Sequence, residues 1–97
     1  MPTYILLGTF TDQGIRAVKD TTKRVEAVRA VAQKLGATVK EVYWTLGKYD
    51  VVSIVEAPDV TSITALGLAM GMVGNIRTQT LPAFSVDDMN KVLAKVK

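Results

Sequence analysis

Hydrophobic and polar positions in the first third of the chain predict a strand followed by a helix. Residues 3–10 (TYILLGTF) are mostly β-branched, aromatic or aliphatic and end at a polar cluster, which is typical of a strand. A helix is predicted from a cap at Asp20 or Thr21 to Leu35, closed by Gly36. Its apolar residues recur three or four positions apart, so we expect one face to pack on a sheet.

Two further strand patterns follow, at residues 37–46 (ATVKEVYWTL) and 51–56 (VVSIVE), and the four residues GKYD between them predict a hairpin. Period-two alternation divides the first of these strands into two faces. One face carries Glu41, Tyr43 and Thr45, and the other carries Val42, Trp44 and Leu46. The alternation alone does not say which face lies inward.

A second helix, capped by Asp59, has no polar face. Between residues 63 and 73 (ITALGLAMGMV) only Thr64 is polar, whereas a helix at a protein surface needs a solvent-facing side. The segment is too short to cross a bilayer, which requires about 20 residues. We therefore expect it to be buried on both sides, against its own sheet and against another subunit or a bound apolar molecule.

Three glycines of this segment, Gly67, Gly71 and Gly74, are spaced by four and three residues and share one helical face. A glycine inside a helix costs about 1 kcal/mol relative to alanine, so the first two require a compensating interaction. Close packing against the sheet or a partner helix is one interpretation, and a glycine-floored ligand pocket is the other. Gly74 is predicted to cap the helix.

The last part of the chain predicts a strand and an amphipathic helix. Residues 75–81 (NIRTQTL) form the strand, and Pro82 ends it or marks a sheet edge. Ser85 then caps a helix that we expect to dock on the edge of its own domain or on a partner. Its apolar stripe consists of Val86, Met89, Val92, Leu93 and Val96.

The order βαββαβ with an extra C-terminal helix predicts an α+β, ferredoxin-like fold with a four-stranded antiparallel sheet, in one domain over residues 1–97. Two helices cover only one face of such a sheet. The other face carries β-branched and aromatic residues, and a sheet from an identical chain is the expected cover. The prediction is a homodimeric α+β barrel, with larger oligomers open, whose interior could hold a small molecule.

The amino-acid composition excludes several kinds of catalytic and metal-binding chemistry. The 97 residues include no cysteine and no histidine, which excludes disulfides, thiolate nucleophiles and imidazole bases or ligands. No metal site and no cofactor is predicted. Catalysis would have to use carboxylates, lysine, arginine, tyrosine or backbone groups.

Charge and the N-terminal sequence bear on partners and location. The net charge is +3, from 12 basic and 9 acidic residues, and the basic residues form no stripe. No helix-turn-helix or stacking aromatic pair accompanies them, so we expect no nucleic-acid partner. No membrane association is predicted. The start, Met1-Pro2-Thr3, runs directly into a strand pattern without a basic leader, and a cytoplasmic location is the expectation.

Three segments carry a family resemblance: GKYD followed by VVSIVEAPD, the opening TYILLGTFTDQGIRAVKD, and GNIRTQTLPAF. Together they resemble the GYD domain family, named for its Gly-x-Tyr-Asp type of turn. The resemblance runs from Pro2 to about Phe84, with Lys48 standing between the glycine and the tyrosine of the turn. It implies a dimeric α+β barrel of ferredoxin-like halves, and it brings no established activity.

A second, weaker pattern consists of Gly47, Tyr49, Asp50, Asp59, Gly74, Thr78 and Thr80. It is similar to the effector-binding domain of leucine-responsive, feast-or-famine transcription regulators, in which amino acids bind between dimers of a larger ring. This chain lacks their DNA-binding half, so the likeness implies a stand-alone ligand sensor or oligomerisation module.

The turn at residues 47–50 has two interpretations. In the structural one, Gly47 supplies an unusual backbone angle, Asp50 accepts hydrogen bonds from the amides of the turn, and Tyr49 is a half-buried lid. In the functional one, Tyr49 and Asp50 lie at a subunit junction. Lys48 and Arg77 would then be the cations for an anionic ligand such as a carboxylate.

Three function classes follow. The first is a ligand-binding or regulatory oligomeric module with its pocket at a dimer or inter-dimer interface. The second is a cofactor-independent oxygenase or isomerase of the barrel superfamily, and the third is a purely structural assembly unit. For the enzyme, the candidate bases are Asp50, Glu41 and Glu56, and the candidate pocket residues are Trp44, Tyr43 and Tyr49.

Overall fold

Four strands form one antiparallel sheet in the order β2-β3-β1-β4, and two long helices pack on it. This computed structural model describes residues 1–97 and confirms the predicted α+β, ferredoxin-like fold. The strands are β1 (Thr3–Phe10), β2 (Thr38–Trp44), β3 (Val51–Glu56) and β4 (Ile76–Ala83). The helices are α1 (Asp12–Arg16), α2 (Thr21–Lys34), α3 (Val60–Val73) and α4 (Val86–Leu93), with a 3₁₀ turn over Val18–Asp20.

The strand bounds agree with the sequence prediction for β1 and β3 and differ at the ends of the other two. β2 stops at Trp44, two residues earlier than predicted, and Leu46 beyond it is fully exposed. β4 continues through Pro82, which pairs with Tyr4, to Ala83. Because β4 is an edge strand, only one of its sides is paired, and it tolerates a residue without an N–H group.

The core lies between one face of the sheet and helices α2 and α3. Alternate residues of β1 point into it, and neighbouring residues of the strand point to the other face of the sheet. Both long helices therefore cover the same face. The buried apolar side chains are Tyr4, Leu6, Ala32, Ala37, Val39, Val55, Ala57, Ile63 and Leu66.

Local capping chemistry sets the bounds of α3. The Asp59 carboxylate accepts a hydrogen bond from the Ser62 amide, 2.8 Å away, and hydrogen bonds from the Ser62 backbone and then its side chain lower the pKa of Asp59. Gly74 ends the helix with a φ of +92°, in the left-handed region that glycine favours. Both caps were predicted. Asp20, the other predicted cap, makes no side-chain capping hydrogen bond at the start of α2.

Only one side of α3 is buried within the chain. Ile63 and Leu66 are fully buried against the sheet, whereas Leu68 and Met72 on the other side are 65% and 87% exposed. The expected second burial of this helix is therefore not provided within the single chain. With 14 residues, α3 falls short of a bilayer, and none of the other helices is long and apolar enough to cross one.

The C-terminal helix α4 extends away from the domain. Ser85 and Asp88 cap it reciprocally, since the Ser85 hydroxyl accepts from the Asp88 amide and the Asp88 carboxylate accepts from the Ser85 amide. Every residue from Phe84 to Lys97 is exposed. The molecule measures 50 × 31 × 18 Å. Docking of α4 on the edge of its own domain, one of the two predicted arrangements, is wrong for the single chain.

Candidate functional site

The sheet face opposite the helices has an apolar centre without a cover. Ile5 and Leu7 of β1 lie beside Ile54 and Val52 of β3, and all four side chains are half-buried. On the edge strand β4, Leu81 extends this centre next to Ile5 and is 45% exposed. We call this surface the open face. An apolar centre surrounded by polar groups is the usual composition of a protein interface.

Two predicted site residues, Glu41 and Tyr43, lie at the rim of the open face. They pair with Ile54 and Val52 across the ladder between β2 and β3, and Tyr43 is 54% exposed. The register of this ladder shifts between Val39 and Glu41, so a β-bulge interrupts the regular alternation. The bulge lets Val39 face the core while Glu41 and Tyr43 face away from it.

Trp44 lies on the opposite face of the sheet from Tyr43. Its indole Nε1 donates to the Thr21 hydroxyl at the start of α2, 3.0 Å away. Its ring lines a partly open pocket of about 90 Å³ between the sheet and helices α2 and α3, together with Val28, Val42 and Met70. The structure therefore does not bring Trp44 together with Glu41 and Tyr43.

Asp50 attaches the hairpin to the central strand β1. Its Oδ2 accepts a hydrogen bond from the Phe10 amide, 2.8 Å away, and its own amide donates to the Gly8 carbonyl at 2.8 Å. Within the turn, the Asp50 carbonyl accepts from the Thr45 amide. The carboxylate thus bonds an amide of β1, and the prediction that it accepts from the amides of the turn is wrong. Gly47 has a φ of +119°, as the structural interpretation requires.

Tyr49 extends from the hairpin across the sheet to the edge strand. Its hydroxyl donates to Gln79 Oε1 of β4, 2.8 Å away, and Gln79 pairs with Leu7 on the intervening strand β1. The Tyr49 side chain therefore lies over the hairpin end of the open face. Lys48 places its Nζ 5.6 Å from the centre of the Tyr49 ring, within the range of a cation–π contact.

Glu56 lies at the far end of the sheet from this hairpin, and the side chain of Arg77 is directed away from it. The Arg77 side chain turns round the edge of the sheet towards α3, since its Nη1 lies 3.4 Å from the position that a Cβ on Gly71 would occupy. Glu56 is at the far end of β3, where its Oε1 is 3.7 Å from Lys40 Nζ. Five strand residues, or about 17 Å, separate it from Val51 at the hairpin end. The Arg77 guanidinium is thus directed towards Gly71, whereas the Lys48 ammonium lies against the Tyr49 ring.

The glycine face of α3 borders an open groove along β4. A Cβ on Gly67 would lie 3.5 Å from the Thr78 hydroxyl, which is an ordinary contact, and the neighbour of Gly71 is the flexible end of the Arg77 side chain. Leu68 and Met72 form the outer wall of this groove. Within the chain, neither glycine is required by close backbone packing.

Sequence reasoning missed the closest glycine contact and the partner of Tyr49. A Cβ on Gly14 would lie 1.9 Å from the Asn75 carbonyl oxygen, so α1 can approach the start of β4 only with glycine at this position. Gln79 is a polar residue between two threonines of an edge strand, and its alternation with Arg77 and Leu81 was the available signal. Its contact with Tyr49 spans 30 positions and has no local signature.

Comparisons with known proteins give a family, a relative and a fold. The family described as GYD domain matches residues 4–93. A protein of Thermus thermophilus, named glutamine synthetase and cystathionine beta-lyase binding protein, is 34% identical over 90 residues, which are 92% of this chain and 95% of that protein.

The solved structure of FFRP-DM1 covers 87% of this chain and 100% of its own, with a TM-score of 0.61 and 21% sequence identity. Identity at that level shows the shared fold alone. It supports the weaker resemblance to the feast-or-famine regulators.

Proposed function

Because this chain belongs to the GYD domain family, we propose that it is a regulatory binding module. In this proposal, copies of the chain assemble through the open face, and the assembly docks on a metabolic enzyme. A small ligand bound between copies would regulate that docking.

The open face supports the assembly step. Ile5, Leu7, Val52 and Ile54 keep part of their apolar surface exposed in the single chain, although they occupy the two central strands of the sheet. Burying apolar surface stabilises an association by roughly 25 cal/mol per Å². The simplest cover is the same face of a second copy, because one two-fold contact then covers the open faces of both copies.

One observation carries the binding role: the relative named as a binding protein for glutamine synthetase and cystathionine beta-lyase aligns over nearly its whole length. Because the alignment covers 95% of that relative, no large additional domain remains in it that could carry the binding function. By this likeness, the enzyme partner proposed for our chain is a glutamine synthetase or a cystathionine β-lyase.

The hairpin supports a ligand site at the junction between copies. Lys48 supplies a cation at the rim of the open face, and the neighbouring Tyr49 ring covers its hairpin end. Because the Arg77 side chain is directed towards Gly71, a second copy would supply the second cation, and a carboxylate is the proposed ligand class.

Binding to purified enzyme tests the proposal. Glutamine synthetase and cystathionine β-lyase from the same organism are immobilised separately, and the chain is passed over each surface at increasing concentration. We expect saturable binding to at least one enzyme. The variant Ile54→Lys, on the open face, should reduce both the subunit number in native mass spectrometry and the binding, whereas the control Thr22→Lys, on the exposed side of α2, should change neither. Absence of binding to both enzymes would contradict the proposed role.

A further inference from the structure

Helix α4 has a well-formed apolar stripe with nothing packed on it. An isolated helix of eight residues is only marginally stable in water, so such helices normally depend on tertiary contacts. In this chain the capping box holds the first turn, but no residue of the helix is buried. The stripe and its exposed fractions are Val86 79%, Met89 42%, Val92 39%, Leu93 56% and Val96 68%.

A groove of matching character lies on the outer side of the helical layer, between α2 and α3. Small or apolar side chains form its walls. Where these side chains are small, a third helix can approach closely. Arg24 and Asn75 add polar groups at one end. We call it the α2–α3 groove, and its apolar lining includes Ala27, Val28, Val31, Ala69, Met70 and Val73.

The length of the groove agrees with that of the helical part of the stripe. Along α2 the lining runs from Arg24 to Val31, seven residue steps, and the helical part of the stripe, from Val86 to Leu93, also spans seven. At 1.5 Å per residue, both measure about 10 Å.

The end of the groove beside Arg24 is out of reach for α4 of the same chain. That end lies near Ile76, at the start of β4, and α4 begins three residues after Ala83, at the other end of the strand. The seven steps from Ile76 to Ala83 span about 23 Å. Helix α4, with eight residues, is about 12 Å long. A helix whose first turn lies at the Arg24 end of this groove would therefore have to come from another molecule.

Charge favours a second copy of this chain as that molecule. The first turn of α4 is acidic, with Asp87 and Asp88, and Arg24 of α2 supplies a cation at one end of the groove, where its guanidinium also donates to the Gly14 and Ala17 carbonyls. The other wall, α3, carries no charged residue between Val60 and Val73, so an apolar helix can lie on it without burying a charge.

We propose that α4 of one copy occupies the α2–α3 groove of a second copy, with its acidic first turn towards Arg24. This contact is separate from the open face and goes beyond the proposed enzyme docking. It would cover α4 and would bury Val73, which is 66% exposed in the single chain. Exchange in both directions gives a closed pair, and exchange in one direction gives a ring or a filament.

Engineered cysteines test the proposal directly, because the natural chain has none. Two full-length variants, Met89→Cys and Val73→Cys, are prepared separately, one with an affinity tag so that the chains differ in mass. After mixing and mild oxidation, we expect a disulfide-linked product of one tagged and one untagged chain. In the matched control, Asn90→Cys replaces Met89→Cys and places the thiol one position round the helix. This control should lose most of the mixed product.

A second measurement does not require a disulfide, so it remains informative if the two cysteines cannot adopt the geometry of that bond. The double variant Met89→Glu/Leu93→Glu should lower the subunit number in native mass spectrometry at least twofold, whereas the control Lys91→Glu should leave it unchanged. Circular dichroism of each variant checks that the domain remains folded.

Two results would overturn the proposal. One is an unchanged subunit number in the double variant together with no mixed disulfide. The other is efficient linkage of Met89→Cys to Ile54→Cys on the open face, which would assign α4 to a different surface. Both measurements use the chain alone, so their outcome is independent of whether an enzyme binds.

Discussion

The carboxylate of Asp50 accepts a hydrogen bond from the amide of Phe10, 2.8 Å away and 40 positions earlier in the chain. This contact joins the β2–β3 hairpin to the end of the central strand. The Asp50 amide donates to the Gly8 carbonyl of the same strand, so a single residue holds the turn from two sides. The signature aspartate of the turn therefore has a structural contact, while the neighbouring Tyr49 lies across the open face and Lys48 is exposed beside it.

Replacing Asp50 tests this structural role. We expect Asp50→Ala to lower the free energy of unfolding by about 1.5–3 kcal/mol, because it removes a hydrogen bond to a charged acceptor. Asp50→Asn keeps an acceptor oxygen and should lose less. Urea denaturation of both variants measures the difference. Equal stability of Asp50→Ala and the unaltered chain would refute the role.

The contact between Tyr49 and Gln79 can be isolated by a double-mutant cycle. Tyr49→Phe removes only the hydroxyl, and Gln79→Leu removes only the acceptor. We expect a coupling free energy of about 0.5–1 kcal/mol, typical of a neutral hydrogen bond near the surface. Additive effects of the two substitutions on the urea midpoint would show that this hydrogen bond does not contribute to stability.

Two helical glycines should respond in opposite directions to alanine. Gly14→Ala is expected to destabilise the chain by about 1–3 kcal/mol, because its Cβ would collide with the backbone oxygen of Asn75. Gly71→Ala meets only the end of Arg77 and should raise the stability of the isolated chain by up to about 1 kcal/mol through helix propensity. Thermal unfolding compares them.

Gly71→Leu separates the two interpretations of the glycine face. If a partner packs closely on α3, this variant should lose subunits in native mass spectrometry while its domain stays folded. An unchanged melting temperature together with an unchanged subunit number would mean that no close contact requires Gly71.

The cap of α3 should make stability depend on pH in the acid range. The pKa of Asp59 is lowered in the folded chain by its hydrogen bonds from Ser62, so the folded state favours the carboxylate. This stabilisation is complete above the ordinary pKa of 3.8 and is lost as the pH falls through the lower folded value. The difference in melting temperature between the chain and Asp59→Ala should therefore be present at pH 7 and shrink as the pH falls below 3.8. A constant difference across that range would contradict this assignment.

Local features of the sequence were enough to predict most of the secondary structure. The bounds of β1 and β3, the caps at Asp59, Gly74 and Ser85, and the left-handed angle at Gly47 depend on residues within a few positions of each other. Side-chain alternation and capping act over that range, and the resulting element order predicted the ferredoxin-like fold.

Contacts between distant parts of the chain decided the candidate site. The bulge before Glu41 and the helices on one face placed Tyr43 on the open face and Trp44 on the helix-covered face, a choice that alternation left undecided. The partners of Asp50 and Tyr49 lie 40 and 30 positions away.

The sequence by itself thus determined the elements, their order and the presence of apolar surface in excess of one core. Only the tertiary structure decided which residues share a face and that α4 stays uncovered in the single chain. The physical reason is range: propensity, capping and alternation act between near neighbours, whereas packing and long hydrogen bonds depend on which strands and helices meet.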